Sequence, residues 1–124
     1  MKAVDLAILG GGCAGLSLAR DLAKLAVGTD GDLPEVVVIE PRDEYEDDRT
    51  WCFWEARGEE GDALVQHRWT KWSFSTGRRE HVHTSSRWAY SLVSGEDFYA
   101  ESRKTIADAE GIELQLGSRV LEVE

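Results

Sequence analysis

Apolar residues run through this chain first as two short blocks with a helical spacing between them and then as alternations. Ala3 to Leu9 is apolar apart from Asp5 and stops at Gly10-Gly11-Gly12, which predicts a buried parallel strand. From Ala14 to Val27 the spacing becomes helical. Leu16, Leu18, Ala19, Leu22, Ala23 and Ala26 are apolar, while Arg20, Asp21 and Lys24 are polar. Gly28 to Pro34 is a polar loop, and Glu35 to Glu40, with Val36-Val37-Val38-Ile39 inside it, predicts a second buried strand. Strand, helix and strand in this order make a βαβ unit over residues 1–40.

The pattern then changes, and residues 41–93 read as a loop and β insertion. Pro41 to Arg57 mixes charge with aromatics and is expected to be irregular loop, followed by an acidic turn at Gly58 to Asp62. Trp69 to Thr76 alternates and predicts a strand, with Trp72 and Phe74 on one face. Gly77-Arg78-Arg79 turns the chain into a returning strand at Glu80 to Thr84, and Arg87 to Val93 is a third extended piece. Ser94-Gly95-Glu96-Asp97 predicts a capped helix start, with the helix running to Ala109 or Glu110 and stopping at Gly111. Short strands are expected at Ile112 to Leu116 and Arg119 to Val123, so that residues 94–124 return to the nucleotide-binding layer. The fold class is therefore α/β: a Rossmann-like βαβ with a parallel sheet, a small antiparallel β insertion, and an incomplete fold.

Charge narrows the partners. The 124 residues carry Asp+Glu 24 against Lys+Arg 14, a formal net charge of -10. Nucleic acid is disfavoured, because phosphate neutralisation needs clustered Lys and Arg. No apolar run reaches the roughly 18 residues of a membrane span. The N-terminus lacks the length and small-residue cleavage site of a signal peptide. Cys13 and Cys52 make neither a disulfide framework nor a metal site, and a cytoplasmic location fits them.

The candidate chemistry lies at Gly10-Gly11-Gly12-Cys13-Ala14-Gly15, a G-x-G-x-x-G between a strand and a helix. Gly10 permits the tight turn, Gly12 lets a pyrophosphate approach the backbone, and Gly15 lets the helix pack close to the strand. The N–H groups of the turn, at Cys13 and Ala14 among them, and the positive end of the helix dipole then meet the phosphates. A purely structural strand–helix turn is the alternative. Glu40, at the end of the second strand, can accept both ribose hydroxyls of an adenosine and would repel a 2′-phosphate. It lies further from the glycines than the usual distance of about 20 residues, an excess that the loop at Gly28–Pro34 accounts for. A solvated strand end is the alternative for Glu40.

Asp5-Leu6-Ala7-Ile8-Leu9-Gly10-Gly11-Gly12-Cys13-Ala14-Gly15-Leu16-Ser17 resembles the amino-terminal signature of FAD-dependent enzymes of the glutathione-reductase and hydroxybenzoate-hydroxylase type. Val38-Ile39-Glu40-Pro41, followed by Asp48-Arg49-Thr50-Trp51-Cys52-Phe53-Trp54, is similar to the bacterial lycopene cyclases, and the stretch from Tyr90 to Phe98 fits that family too. The resemblance implies FAD, reduced for activity with NAD(P)H as reductant, and an acyclic carotenoid such as lycopene as substrate. The reaction it implies is protonation, ring closure and proton loss without net redox change, with the reduced flavin stabilising the cation. By position it assigns Gly10, Gly12 and Gly15 to the pyrophosphate, Glu40 to the ribose, Val120 to adenine through its backbone, and Arg49 to the pyrophosphate. The chain matches about the first third of such an enzyme. The family's acidic catalytic motif and any peripheral membrane contact are expected beyond residue 124, and the chain alone is expected to bind FAD weakly at best and not to cyclise a carotenoid.

Two other readings remain. One is a different flavoprotein of the same fold, of the monooxygenase or geranylgeranyl reductase type. The other is a non-catalytic nucleotide-binding fragment. Trp51, Trp54, Trp69, Trp72 and Trp88 could line a polyene site, Trp51 foremost, or could serve core and inter-strand packing. His81 and His83 share a strand face without a third ligand at zinc spacing, which favours a solvated face.

Overall fold

The computed structural model describes residues 3–26, 34–58 and 63–123. It divides into two compact units, Met1–Glu46 with Tyr99–Glu124, and Asp47–Phe98.

The first unit is built on the two apolar blocks. Strand β1 (Leu6–Leu9) leads through the glycines into helix α1 (Cys13–Ala26), and β2 (Val36–Ile39) lies parallel to β1 with Leu6 opposite Val36 and Leu9 opposite Ile39. Val36 and Val38 are buried, as are Leu16, Ala19 and Ala23 on one face of α1. That face follows the i, i+3, i+7 spacing of an amphipathic helix. A third parallel strand pairs with β2 from the other side, with Val36 opposite Ile112 and Ile39 opposite Gln115. The sheet order therefore puts β2 in the centre, where a run of four β-branched residues is apt. Much of the loop predicted at 28–34, and of the acidic turn at 58–62, lies outside the described residues.

The second unit is antiparallel. Strands β3 (Thr50–Ala56), β4 (His67–Trp69), β5 (Lys71–Ser75), β6 (Glu80–Thr84) and β7 (Trp88–Ser94) form a three-stranded sheet, β3-β7-β4, and a hairpin of β5 with β6. Helix α2 (Gly95–Ala107) follows without a break, and β8 (Ile112–Gln115) is the third parallel strand of the first unit. The start of α2 follows the predicted cap, since the Asp97 N–H donates to Ser94 Oγ at 3.2 Å. Gly111 after the helix has φ +81°, the left-handed conformation that glycine tolerates at a helix end.

Three expectations are corrected. The loop expected over 41–57 contains β3, a seven-residue strand that pairs with β7 from Thr50 opposite Ser94 to Ala56 opposite Trp88. Its alternation of Trp51 and Phe53 with Cys52 and Trp54 is a strand pattern that the flanking charge obscures. The single strand expected at Trp69 to Thr76 is broken at Thr70. Residues before the break pair with β7 and residues after it with β6, and the Ser85 N–H closes the base of the β5–β6 hairpin on the Thr70 carbonyl at 2.8 Å. The strand expected at Arg119 to Val123 does not form. Its apolar side chains stay exposed, Leu121 at 91 % and Val123 at 72 %, and no described strand offers them a ladder.

Candidate nucleotide-binding turn

The ladder of the parallel sheet continues past the strand ends and fixes the turn. Gly10 N–H donates to the Ile39 carbonyl at 2.9 Å, and Glu40 N–H to the Gln115 carbonyl at 2.9 Å. Gly10 then takes φ +104°, a value that glycine alone adopts without strain. Gly15 is required for close packing. A Cβ there would fall on the Gly10 carbonyl oxygen, and Ile8 lies 3.2 Å from it. Gly12 is different, for a Cβ there would meet nothing within 4 Å. The role that sequence spacing assigned to Gly15 is thus a contact of the folded chain itself. Gly12 faces open space of the kind a phosphate could fill.

The Gly12 carbonyl accepts the Leu16 N–H at 2.9 Å, so Gly12 caps α1. The N–H groups of Gly12, Cys13, Ala14 and Gly15 have no partner within the helix, as in any helix start. They supply the donors an anion needs, and the helix dipole adds partial positive charge. The residues present therefore fit a dinucleotide pyrophosphate.

Glu40 is 5 % exposed and anchors the turn from below. Its Oε2 accepts the Gly11 N–H at 2.7 Å, and its Oε1 accepts the Arg42 N–H at 3.0 Å and Arg42 Nε at 2.7 Å. Burial works to raise this carboxyl, but the donors from Arg42 and Gly11 outweigh it and hold Glu40 below its ordinary value. Three of roughly four acceptor positions are occupied, which leaves one on Oε2. A carboxylate buried in this way is not the solvated strand end that the sequence also allowed.

Sequence reasoning missed three residues of this site. Arg42 Nη2 donates to the Gly11 carbonyl at 3.2 Å and Nη1 to Tyr99 Oη at 3.2 Å. Tyr45 Oη donates to the same Gly11 carbonyl at 2.8 Å. The Tyr45 and Tyr99 rings lie 4.4 Å apart between centroids, and the Arg42 guanidinium sits 4.6 Å from the Tyr45 ring. Residue Gly11 is thus held at its N–H by Glu40 and at its C=O by Arg42 and Tyr45, which fixes the peptide groups on both sides of its Cα. Burial, with the Glu40 charge second, pushes the Tyr45 hydroxyl up to about 12, so it remains a donor throughout the neutral range. The signal for Arg42 was its place two residues after Glu40. Tyr45 stood in a charged stretch that offered no periodicity to read.

Val120 lies in the segment after β8. That segment folds back on the same strand end, with Gly117 N–H on the Arg42 carbonyl at 2.9 Å and Ser118 N–H on the Glu40 carbonyl at 3.0 Å. Val120 is 37 % exposed, two residues past that contact. The structure therefore brings Gly10, Gly12, Cys13, Ala14, Gly15, Glu40 and the Val120 segment to one end of the parallel sheet. Arg49 belongs to the second unit, where its exposed side chain lies 3.9 Å from Asp48 and its carbonyl accepts the Gly95 N–H. Trp51 packs edge-on against Phe98 at 5.0 Å. Among the described residues no helix is long and apolar enough to cross a membrane, and no group of three metal-ligating side chains occurs.

Compared with known proteins, residues 5–124 match the model of a family described as "Lycopene cyclase protein". No curated protein matches the chain.

Proposed function

We propose that this chain, which belongs to the lycopene cyclase family, binds FAD at the turn after β1 and serves an enzyme that closes rings on an acyclic carotenoid. The family is generally flavin-dependent and its substrates are carotenoids. The observation that carries the cofactor reading is the pairing of open space at Gly12 with a buried Glu40 carboxylate on the neighbouring peptide.

In this reading the N–H groups of Gly12, Cys13 and Ala14 hold the pyrophosphate. Glu40 accepts a ribose hydroxyl at the acceptor position still open on Oε2, and a 2′-phosphate is repelled there by the carboxylate charge. The backbone near Val120 borders the adenine. Bound and reduced, the flavin supplies negative charge that stabilises a carotenoid cation, as electrostatic catalysis requires. The residues of this chain bind and orient; the acid that protonates the alkene is not assigned to any of them.

These contacts grip only the adenosine half of FAD. Titration of the full chain should therefore show ADP competing with FAD at equal affinity, with FMN unable to compete. FAD binding that FMN displaces and ADP does not would overturn the assignment.

A further inference from the structure

The two faces of the β3-β7-β4 sheet differ sharply. On one side Ala89, Ser91 and Val93 are buried. Strand alternation puts Trp54, Trp69, Trp88 and Tyr90 on the other, where Trp54 is 50 %, Trp69 42 % and Trp88 44 % exposed. The β5–β6 hairpin belongs to the same unit and brings Trp72 edge-on to Trp54, 4.6 Å between ring centroids, with His83 4.9 Å from Trp72. Trp54 in turn lies 4.7 Å from Tyr90. Between sheet and hairpin this leaves a slot of about 340 Å³ lined by Trp54, Trp72, His83, Ser85 and Trp88.

We propose that this slot binds one end of the polyene chain of an acyclic carotenoid. The inference rests on the family's carotenoid substrate and adds the place that holds it. Indole faces suit a flat conjugated hydrocarbon, which gains dispersion and stacking against them without needing hydrogen bonds. The slot offers little else. Ser85 Oγ already accepts the N–H groups of Arg87 at 3.1 Å and Trp88 at 3.0 Å, so the wall keeps His83, the Ser85 O–H and indole N–H donors but no amide or carboxylate side chain to accept from a ligand. A sugar stacked on the same rings would need several polar partners for its hydroxyls. No carboxylate is among the described lining residues to balance a cationic ligand. The volume lies at the low end of small-molecule sites, about 300–1,000 Å³, so the slot takes part of a carotenoid and leaves the rest of the chain outside. Trp51, the foremost candidate from sequence, has no part in the lining.

The test is lycopene in detergent micelles, mixed with the full chain and followed by the absorbance that co-elutes with protein in gel filtration. Trp72→Leu keeps apolar bulk but removes the indole face, and should hold lycopene about tenfold more weakly. Phe74→Leu alters a side chain that is 70 % exposed on the same strand but outside the slot, and should hold it like the parent. Equal retention in the two variants overturns the slot. Should Trp72→Leu fail to fold, the unmodified chain answers the same question by N-bromosuccinimide oxidation mapped by mass spectrometry. Lycopene should protect Trp54, Trp72 and Trp88 but leave Trp69 reactive, and uniform oxidation overturns the proposal. A parent that binds FAD but no lycopene removes the slot and leaves the flavin site standing; one that binds lycopene through the slot while FMN and not ADP displaces its FAD does the reverse.

Discussion

Glu40 and Gly11 lie 29 positions apart, yet the carboxylate of one receives the N–H of the other at 2.7 Å. This bond ties the end of β2 to the turn after β1. It makes the glycine turn a product of the parallel sheet and not of local glycine content alone.

Removing that carboxylate should be felt in both fold and ligand. Glu40→Ala should weaken FAD by about 1–3 kcal/mol, the scale of a charged hydrogen bond lost. Glu40→Gln keeps the shape and should recover part of the loss. Isothermal titration with FAD or ADP reads the difference, and equal affinity in all three proteins would remove Glu40 from the site.

The glycines of the turn should separate cleanly. Gly12→Val points its side chain into open space, so it should abolish nucleotide binding while circular dichroism stays like that of the parent. Gly15→Ala places a methyl group on the Gly10 carbonyl and should lower thermal stability even with no ligand present. A flavin-binding Gly12→Val protein would contradict the approach argued for the phosphates.

Acid and alkali should loosen the turn by different residues. Glu40 is held below its ordinary value, so its stabilisation is present above the unfolded carboxylate range and fades as pH falls through the lowered folded value. Tyr45 is raised from 10.0 to about 12, so its contribution is complete below pH 10 and is lost as pH rises towards 12. Tyr45→Phe removes the donor to Gly11 and should cost about 1 kcal/mol. It should also flatten the alkaline limb of a stability–pH profile; an unchanged limb would show that Tyr45 does not titrate with folding.

On the buried side of the second sheet, Glu55 on β3 accepts Arg68 Nε of β4 at 2.7 Å and the Ser91 hydroxyl of β7. The three side chains pin three strands together. Arg68→Met should destabilise the chain by about 1–3 kcal/mol, because it leaves a largely buried carboxylate short of a donor. Adding Glu55→Gln to Arg68→Met should restore part of that loss. Urea midpoints measure both, and additive losses would mean that the pair is uncoupled.

The parallel half of the fold was legible because its signals are local and redundant. Val36 to Ile39 is unbroken, the helix face repeats through Leu16, Ala19 and Ala23, and the glycines fall between them. The antiparallel half was less so. Trp51 to Trp54 alternates as a strand should, but Asp47, Asp48 and Arg49 just before it imitate a loop. Arg119 to Val123 alternates equally well and forms no strand, since alternation cannot reveal whether a partner edge exists. In the candidate site, Gly10, Gly12 and Gly15 followed from spacing and Glu40 from its place at the end of the second strand. Arg42, Tyr45 and Tyr99 did not, because their meeting at Gly11 depends on how the loop after β2 closes.

The double grip on Gly11 has an entropic consequence. Fixing a backbone residue costs about 1–2 kcal/mol of conformational freedom, and here that cost is met during folding, by Glu40 at the N–H of Gly11 and by Arg42 and Tyr45 at its C=O. A pyrophosphate arriving as proposed would find its donors already aimed. Association at this turn should then proceed by collision with a standing conformation, with a rate that rises linearly with nucleotide concentration and shows no plateau from a slow rearrangement.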